Sequence, residues 1–147
     1  MNRVIEAIGH GLNTQKEAGA TRLFHGRGQL YSGLGDINVD WFSPVLLITL
    51  YREPEHEAWR DIEQQLCSFQ NQVSCIAIQR RYLHGAPIDV LVGDLPAQCV
   101  ASEQGLNYRL SLGDKQNIGF FMDMAPGRRW LKDASNGKQV LNLFSYT

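Results

Sequence analysis

Val45-Leu46-Leu47-Ile48-Thr49-Leu50-Tyr51 is the most β-prone run in the chain, dense in branched and aromatic side chains. It is too continuous for a strand with one wet face, so it is expected in the middle of a sheet. Just upstream, Ile37-Asn38-Val39-Asp40-Trp41-Phe42 alternates apolar and polar residues, which is the strand period. Only the turn Ser43-Pro44 separates the two runs. A connection that short implies an antiparallel hairpin.

Working outward toward the N-terminus, Thr21-Arg22-Leu23-Phe24-His25 reads as another strand. The glycine-rich segment 26–35 follows it. Gly26, Gly28, Gly33 and Gly35 lack the spacing and the strand-to-helix setting of a dinucleotide fingerprint. Turn geometry at positive φ is their expected role. Before Thr21, Val4, Ile5, Ile8 and Leu12 share one side of a helix expected over about 4–17, which Gly9 and Gly11 weaken.

On the C-terminal side, Glu53-Pro54-Glu55-His56-Glu57 opens a helix. Pro suits the first helical position, and acids suit a first turn where the helix dipole is positive. Ala58, Ile62, Leu66 and Phe69 form its apolar stripe, flanked by Trp59, and it is expected to end near Gln70-Asn71. Residues 73–81 read as a strand ending in the basic pair Arg80-Arg81. Residues 88–92 read as a short edge strand or a loop segment. The runs 98–103 and 106–112 flank Gln104-Gly105 as a tight hairpin. A loop-like segment, 113–124, leads through Ala125-Pro126-Gly127 into a helix that Asn136-Gly137 closes. Lys138-Gln139-Val140-Leu141-Asn142-Leu143-Phe144-Ser145-Tyr146-Thr147 then reads as a buried parallel strand. Ligands of open α/β sheets bind outside the carboxyl ends of the strands. The chain is therefore expected to be the front part of a longer enzyme.

The expected fold is α+β. A small antiparallel-sheet module, strand-strand-helix-strand-strand, is followed by a β-hairpin and by the first helix and strand of an α/β unit. The expected boundaries are a helical segment over 1–20, the module over 21–112 and the α/β unit over 113–147.

A chain of 147 residues has room for one domain with a real core. A net charge of −1 gives no bulk argument for nucleic acid or membrane, although a local basic face remains compatible with it. Cys67, Cys75 and Cys99 are odd in number and have no C-x-x-C spacing, which argues against a disulfide framework or a zinc site. They read as small apolar residues in a reducing cytoplasm. His56 lacks a second, suitably spaced His, so no metal is expected. Residues 1–6 lack the apolar core of a signal peptide, and no apolar run approaches the roughly 20 residues that cross a bilayer. A cytoplasmic location is the default.

The order Asn117-Ile118-Gly119-Phe120-Phe121-Met122-Asp123-Met124, then Arg128-Arg129-Trp130, then 137–147 resembles class I S-adenosylmethionine-dependent methyltransferases. Within them it is most similar to the group of bacterial 23S ribosomal RNA methyltransferases. In that group a loop of the type K-T-G-[FY]-[FY]-L-D-Q-R precedes a helix, and a strand of the type V-L-N-x-F-S-Y-T-G-G carries methyltransferase motif I. The front half, Arg22-Leu23-Phe24-His25-Gly26 with 31–34 and Asn38-Val39-Asp40-Trp41, is similar to the small module that precedes the catalytic domain and helps to place the RNA. Ser32, Asn117, Ile118, Met124 and Ala125 depart from the group's pattern.

The resemblance implies that 113–147 begins a Rossmann-like methyltransferase domain with S-adenosyl-L-methionine as cofactor. It puts Asn117, Phe121, Asp123 and Arg128 near the cofactor pocket and makes Phe144, Ser145 and Tyr146 the start of its floor. Other roles stay open. Phe120 and Phe121 suit a core, Asp123 suits a helix N-terminus, and Arg128, Arg129, Lys132 and Lys138 suit a solvated face or a phosphate-contacting patch. The implied partner is an RNA substrate, ribosomal RNA in particular, with no membrane and no metal; homo-oligomerisation is left open. The competing readings are a stand-alone RNA- or protein-binding module and a methyltransferase of a non-RNA substrate. The family's catalytic residues would lie beyond Thr147, so none is assigned. This chain alone is expected to bind cofactor poorly and to transfer no methyl group.

Overall fold

The computed structural model describes residues 2–14, 19–28, 30–113, 116–141 and 143. Helix α1 (Asn2–Thr14) leads into strands β1 (Ala20–His25), β2 (Ile37–Phe42) and β3 (Val45–Leu50). Helix α2 (His56–Cys67) follows, then β4 (Cys75–Arg80) and β5 (Ile88–Gly93). These five strands form one sheet in the order β1-β2-β3-β4-β5. A separate hairpin, β6 (Cys99–Glu103) with β7 (Leu106–Leu110), precedes a short 3-10 turn (Met122–Met124) and helix α3 (Ala125–Ala134).

The run 45–50 is indeed central, with all six residues buried. Its partner β2 is antiparallel, with Phe42 opposite Val45 across a turn that contains a cis Ser43–Pro44 bond. The expectation of a purely antiparallel sheet is corrected at the next pair, because β3 and β4 run parallel, Val45 opposite Cys75 and Thr49 opposite Gln79. The reason lies in the connection. Helix α2 carries the chain back across the sheet before β4 begins, and such a crossover joins parallel strands. Residues 88–93 form an edge strand, antiparallel to β4.

The two faces of the sheet differ because side chains alternate along each strand. Val39, Trp41, Leu46, Ile48, Leu50, Ile76 and Ile78 face α1 and α2, where they meet Val4, Ile8, Trp59, Ile62 and Leu66. Gly11 of α1 lies against Leu23, and a Cβ there would come within 2.5 Å of Leu23 Cδ2. Its cost in helix propensity therefore comes with close helix–sheet packing. A bulge between Arg22 and Phe24 keeps Arg22 opposite Asp40 and turns Phe24 into the helix-side core. On the opposite face, Phe42, Val45, Leu47, Cys75 and Ala77 pack under the hairpin's Cys99, Ala101 and Leu110 and under Phe120. All three cysteines are free, and burial pushes the Cys75 and Cys99 thiols up.

Several local expectations change. Helix α2 starts two residues after Pro54, with Glu55 as its N-cap. Of the four glycines in 26–35, only Gly33 has positive φ, at 74°. Gly26 instead serves a close approach, because a Cβ there would sit 1.8 Å from the Leu34 carbonyl oxygen. The β6–β7 turn is as expected, with Gln104 at φ 51° and Gly105 at 79°, both left-handed as a two-residue hairpin loop requires. After α3, residues 139–141 and 143 form no strand, while Asn142 and 144–147 lie outside the described residues. A parallel strand needs a neighbour to pair with, and no described strand pairs with this stretch.

Candidate functional site

On the face away from α1 and α2, three rows of side chains cross the central strands. The first is Phe42, Val45 and Cys75, the second Asp40, Leu47 and Ala77, and the third Asn38, Thr49 and Gln79. The face thus passes from apolar to polar along the strands. The hairpin covers the apolar end. The polar end opens into a cleft of about 290 Å³, which is at the small end for ligand sites.

Asn38, Asp40, Thr49 and Gln79 form the buried polar floor of the cleft. Arg22 grips Asp40 with two hydrogen bonds, Nε to Oδ1 at 2.7 Å and Nη2 to Oδ2 at 3.1 Å. Burial pushes the Asp40 carboxyl above the usual carboxylate range, against the pull of Arg22. The same burial works against the charge on Arg22. The hydrogen bond and charge of Asp40 outweigh it and leave the guanidinium more basic than usual. Tyr51 stands at the rim with two guanidiniums over its ring, Arg27 at 4.3 Å and Arg81 at 5.5 Å from the centroid.

The segment 116–123 forms the other wall. Gln79 Nε2 donates to the Gln116 carbonyl at 3.2 Å, and Arg81 Nη2 donates to Asn117 Oδ1 at 3.2 Å. Ser111 N–H donates to the Ile118 carbonyl at 3.0 Å. Phe120 is buried beside Tyr108, 4.9 Å between ring centroids, while Phe121 is half open at the cleft. Both rings line the cleft, Phe120 from within the core and Phe121 from the open side.

Of the residues expected near a cofactor pocket, the cleft brings together Asn117, Phe121 and Asp123. Arg128 is not among its lining residues. Its guanidinium makes a bidentate pair with Glu103, at 2.7 and 2.8 Å, and donates from Nη1 to the Phe121 carbonyl at 2.8 Å. It also lies over the ring of Phe120, 4.6 Å from the centroid. Arg128 thus ties α3, the hairpin and the segment 117–123 together. The hydrogen bond from Arg128 holds the Glu103 carboxyl below its usual range. Phe144, Ser145 and Tyr146 lie outside the described residues.

The polar floor was not singled out from sequence as a site. Its signal is faint but real. Asn38, Thr49 and Gln79 are polar residues in three strands made mostly of apolar ones, and the strand registers place all three in one row. Among the described residues, no group of three or more His, Cys, Asp or Glu side chains could hold a metal ion. No described helix is long and apolar enough to cross a membrane.

The backbone is similar to a Streptococcus mutans structure assigned as an S-adenosylmethionine-dependent methyltransferase, with a TM-score of 0.71 at 20% identity, covering 91% of this chain and 35% of that one. A second solved structure, assigned as a methyltransferase and complexed with S-adenosylhomocysteine, gives 0.67 at 20% identity over 88% of this chain and 34% of that one. In sequence, the chain is 28% identical over 136 residues to YwbD of Bacillus subtilis, a provisional ribosomal RNA large subunit methyltransferase. It is 27% identical over 124 residues to ribosomal RNA large subunit methyltransferase I of Yersinia pseudotuberculosis. These alignments cover 87% and 78% of this chain, and 33% and 31% of the relatives. The chain thus spans about a third of the length of these two relatives. The family model for S-adenosylmethionine-dependent methyltransferases matches residues 21–147, and the chain belongs to that family.

Proposed function

We propose that this chain is the front part of an S-adenosylmethionine-dependent methyltransferase that acts on RNA, ribosomal RNA in particular. In this reading 21–112 places the substrate and 113–147 begins the cofactor-binding domain. The observation that carries it is the cleft itself. The segment 117–123, which the family resemblance puts beside the cofactor, faces a polar, arginine-rimmed floor built by the front module.

The residues present fit the cofactor's chemistry. S-adenosylmethionine supplies a methyl group on a cationic sulfonium. Asp123 brings a carboxylate into the cleft for a cationic group, and Phe121 gives an apolar surface beside it. Arg81 fixes the orientation of Asn117 through its amide oxygen. Arg128, by its bond to the Phe121 carbonyl, sets the backbone that presents Phe121 and Asp123. Methyl transfer depends on positioning more than on proton movement, and a braced wall suits that need. Phe144, Ser145 and Tyr146 complete the pocket in this reading.

The RNA substrate draws support from the relatives' assignments and from the positive rim formed by Arg27 and Arg81. The test uses the longer protein, labelled S-adenosylmethionine, and total RNA and protein from a strain lacking the gene. Label in RNA is expected. Label in protein alone removes the RNA reading, and no label anywhere removes methyl transfer.

A further inference from the structure

The floor of the cleft holds a polar atom that no described residue binds. Asn38 is 2% exposed, and its Oδ1 has no hydrogen-bond partner among the described residues. Among the described residues its Nδ2 reaches only the Tyr51 hydroxyl, at a long 3.4 Å. Turning the amide over would leave an unpaired donor in place of the unpaired acceptor. Leaving a buried polar group unpaired costs on the order of 1–3 kcal/mol, so an orphan that lines a cleft points to a ligand.

The surroundings say which ligand. An amide offers a donor and an acceptor side by side, which matches the hydrogen-bonding edge of a nucleobase. Thr49 and Gln79 lie in the same row as Asn38. Tyr51 stands at the rim beneath Arg27 and Arg81. Among the described residues, neither arginine has a carboxylate within ion-pair distance, whereas Arg22 is neutralised by Asp40. Two guanidiniums that no described carboxylate pairs with, at the mouth of the cleft, suit a phosphate.

We propose that the cleft over Asn38, Thr49 and Gln79 is a subsite for one unpaired nucleotide of the RNA, its base edge on Asn38 and its phosphate on Arg27 and Arg81. It rests on the reading of RNA as the substrate. A nucleobase could also come from the adenosyl group of the cofactor. The cofactor has no phosphate, so the positive rim favours RNA.

The test compares two labelled single-stranded RNA hexamers, one of mixed sequence and one with every base removed, by fluorescence anisotropy on this chain. The base-bearing hexamer is expected to bind about tenfold more tightly, the scale of one well-read base. Asn38→Leu removes the amide at similar volume and is expected to erase that preference with no fall in melting temperature. Arg27→Gln, on the exposed rim, tests the same site without touching the floor. It is expected to weaken both hexamers alike and to reduce the salt slope by about one. A wild-type chain that binds neither hexamer, or both equally, overturns the proposal. So does a base preference that survives Asn38→Leu, or an Arg27→Gln variant that binds like wild type. Binding of S-adenosylhomocysteine through Asn38 without any base preference on RNA overturns it in favour of the cofactor. RNA methylation by the longer protein is scored separately. Methylation indifferent to Asn38→Leu overturns the subsite and leaves the RNA substrate standing. Base-dependent binding through Asn38 without RNA methylation supports the subsite and removes the methylation reading.

Discussion

Arg22 and Asp40 bring charge into the sheet under opposing forces. The Asp40 side chain is 7% exposed and that of Arg22 33%, so the carboxylate depends on its partner. Arg22→Ala should cost about 2–3 kcal/mol, because it leaves a buried carboxylate alone. The deficit has a pH sign. Burial already raises the pKa of Asp40, and a raised carboxylate pKa gives stability in acid that is lost as pH rises. Urea melts of the variant should therefore approach wild type in acid and fall away toward neutrality; a deficit equal at both ends would refute the account. Gly26 gives a test without charge. Its N–H bonds the Ile37 carbonyl at 2.9 Å, and there is no room for a Cβ. Gly26→Ala should lower stability by about 2–3 kcal/mol through backbone displacement, measurable by thermal melting. Gly28→Ala, whose Cβ would meet no described atom closer than 3.4 Å, should cost much less. The sequence shows both glycines in one cluster. It does not show that the carbonyls of Leu34 and Ile37 close over only one of them.

At the scale of elements, strands were easy to read and their directions were not. Alternation marks Ile37–Phe42, and branched side chains mark Val45–Leu50, because burial on one or two faces selects those residues. Whether β4 runs with or against β3 depends on where α2 sets the chain down, which no single strand encodes. The same limit applies to Arg128. Its helix was legible, but its partner Glu103 lies across the hairpin, 25 positions away in the chain. Glu103→Gln should loosen α3 from the hairpin at neutral pH, by about 1–2 kcal/mol for a partly shielded bidentate pair. The pKa of Glu103 is lowered in the fold, so its stabilisation is present above the ordinary glutamate range and lost as pH falls through it. Hydrogen exchange in α3 should then separate variant from wild type near neutrality, with the difference closing in strong acid.

For the whole molecule, three tryptophans report on different parts of the packing. Trp41 and Trp59 are 8% and 6% exposed, inside the helix-side core, whereas Trp130 on α3 is 69% exposed. Acrylamide should quench a red-shifted component that Trp130→Phe abolishes, and leave a protected component from the other two. If all emission is protected, α3 is packed differently in solution. Leu131, Leu141 and Leu143 are also exposed. The 138–147 stretch reads from sequence as a buried parallel strand, yet a strand is a property of a pair, and its described residues have none. The site was half legible for a similar reason. Segment 117–123 carries a continuous motif, while the floor is assembled from single polar residues on three strands.

The polar row also bears on how the sheet finds its own alignment. Side chains alternate with a period of two, so a slip of one residue in any central strand would send its row member under the helices. Asn38, Thr49 or Gln79 would enter the oily layer, and Val39, Ile48 or Ile78 would be turned onto the polar floor of the cleft. Each misalignment carries a penalty on both faces at once. The residues that line the cleft thus double as a key for assembly, so a chain that pairs its strands wrongly loses the pocket and the core together.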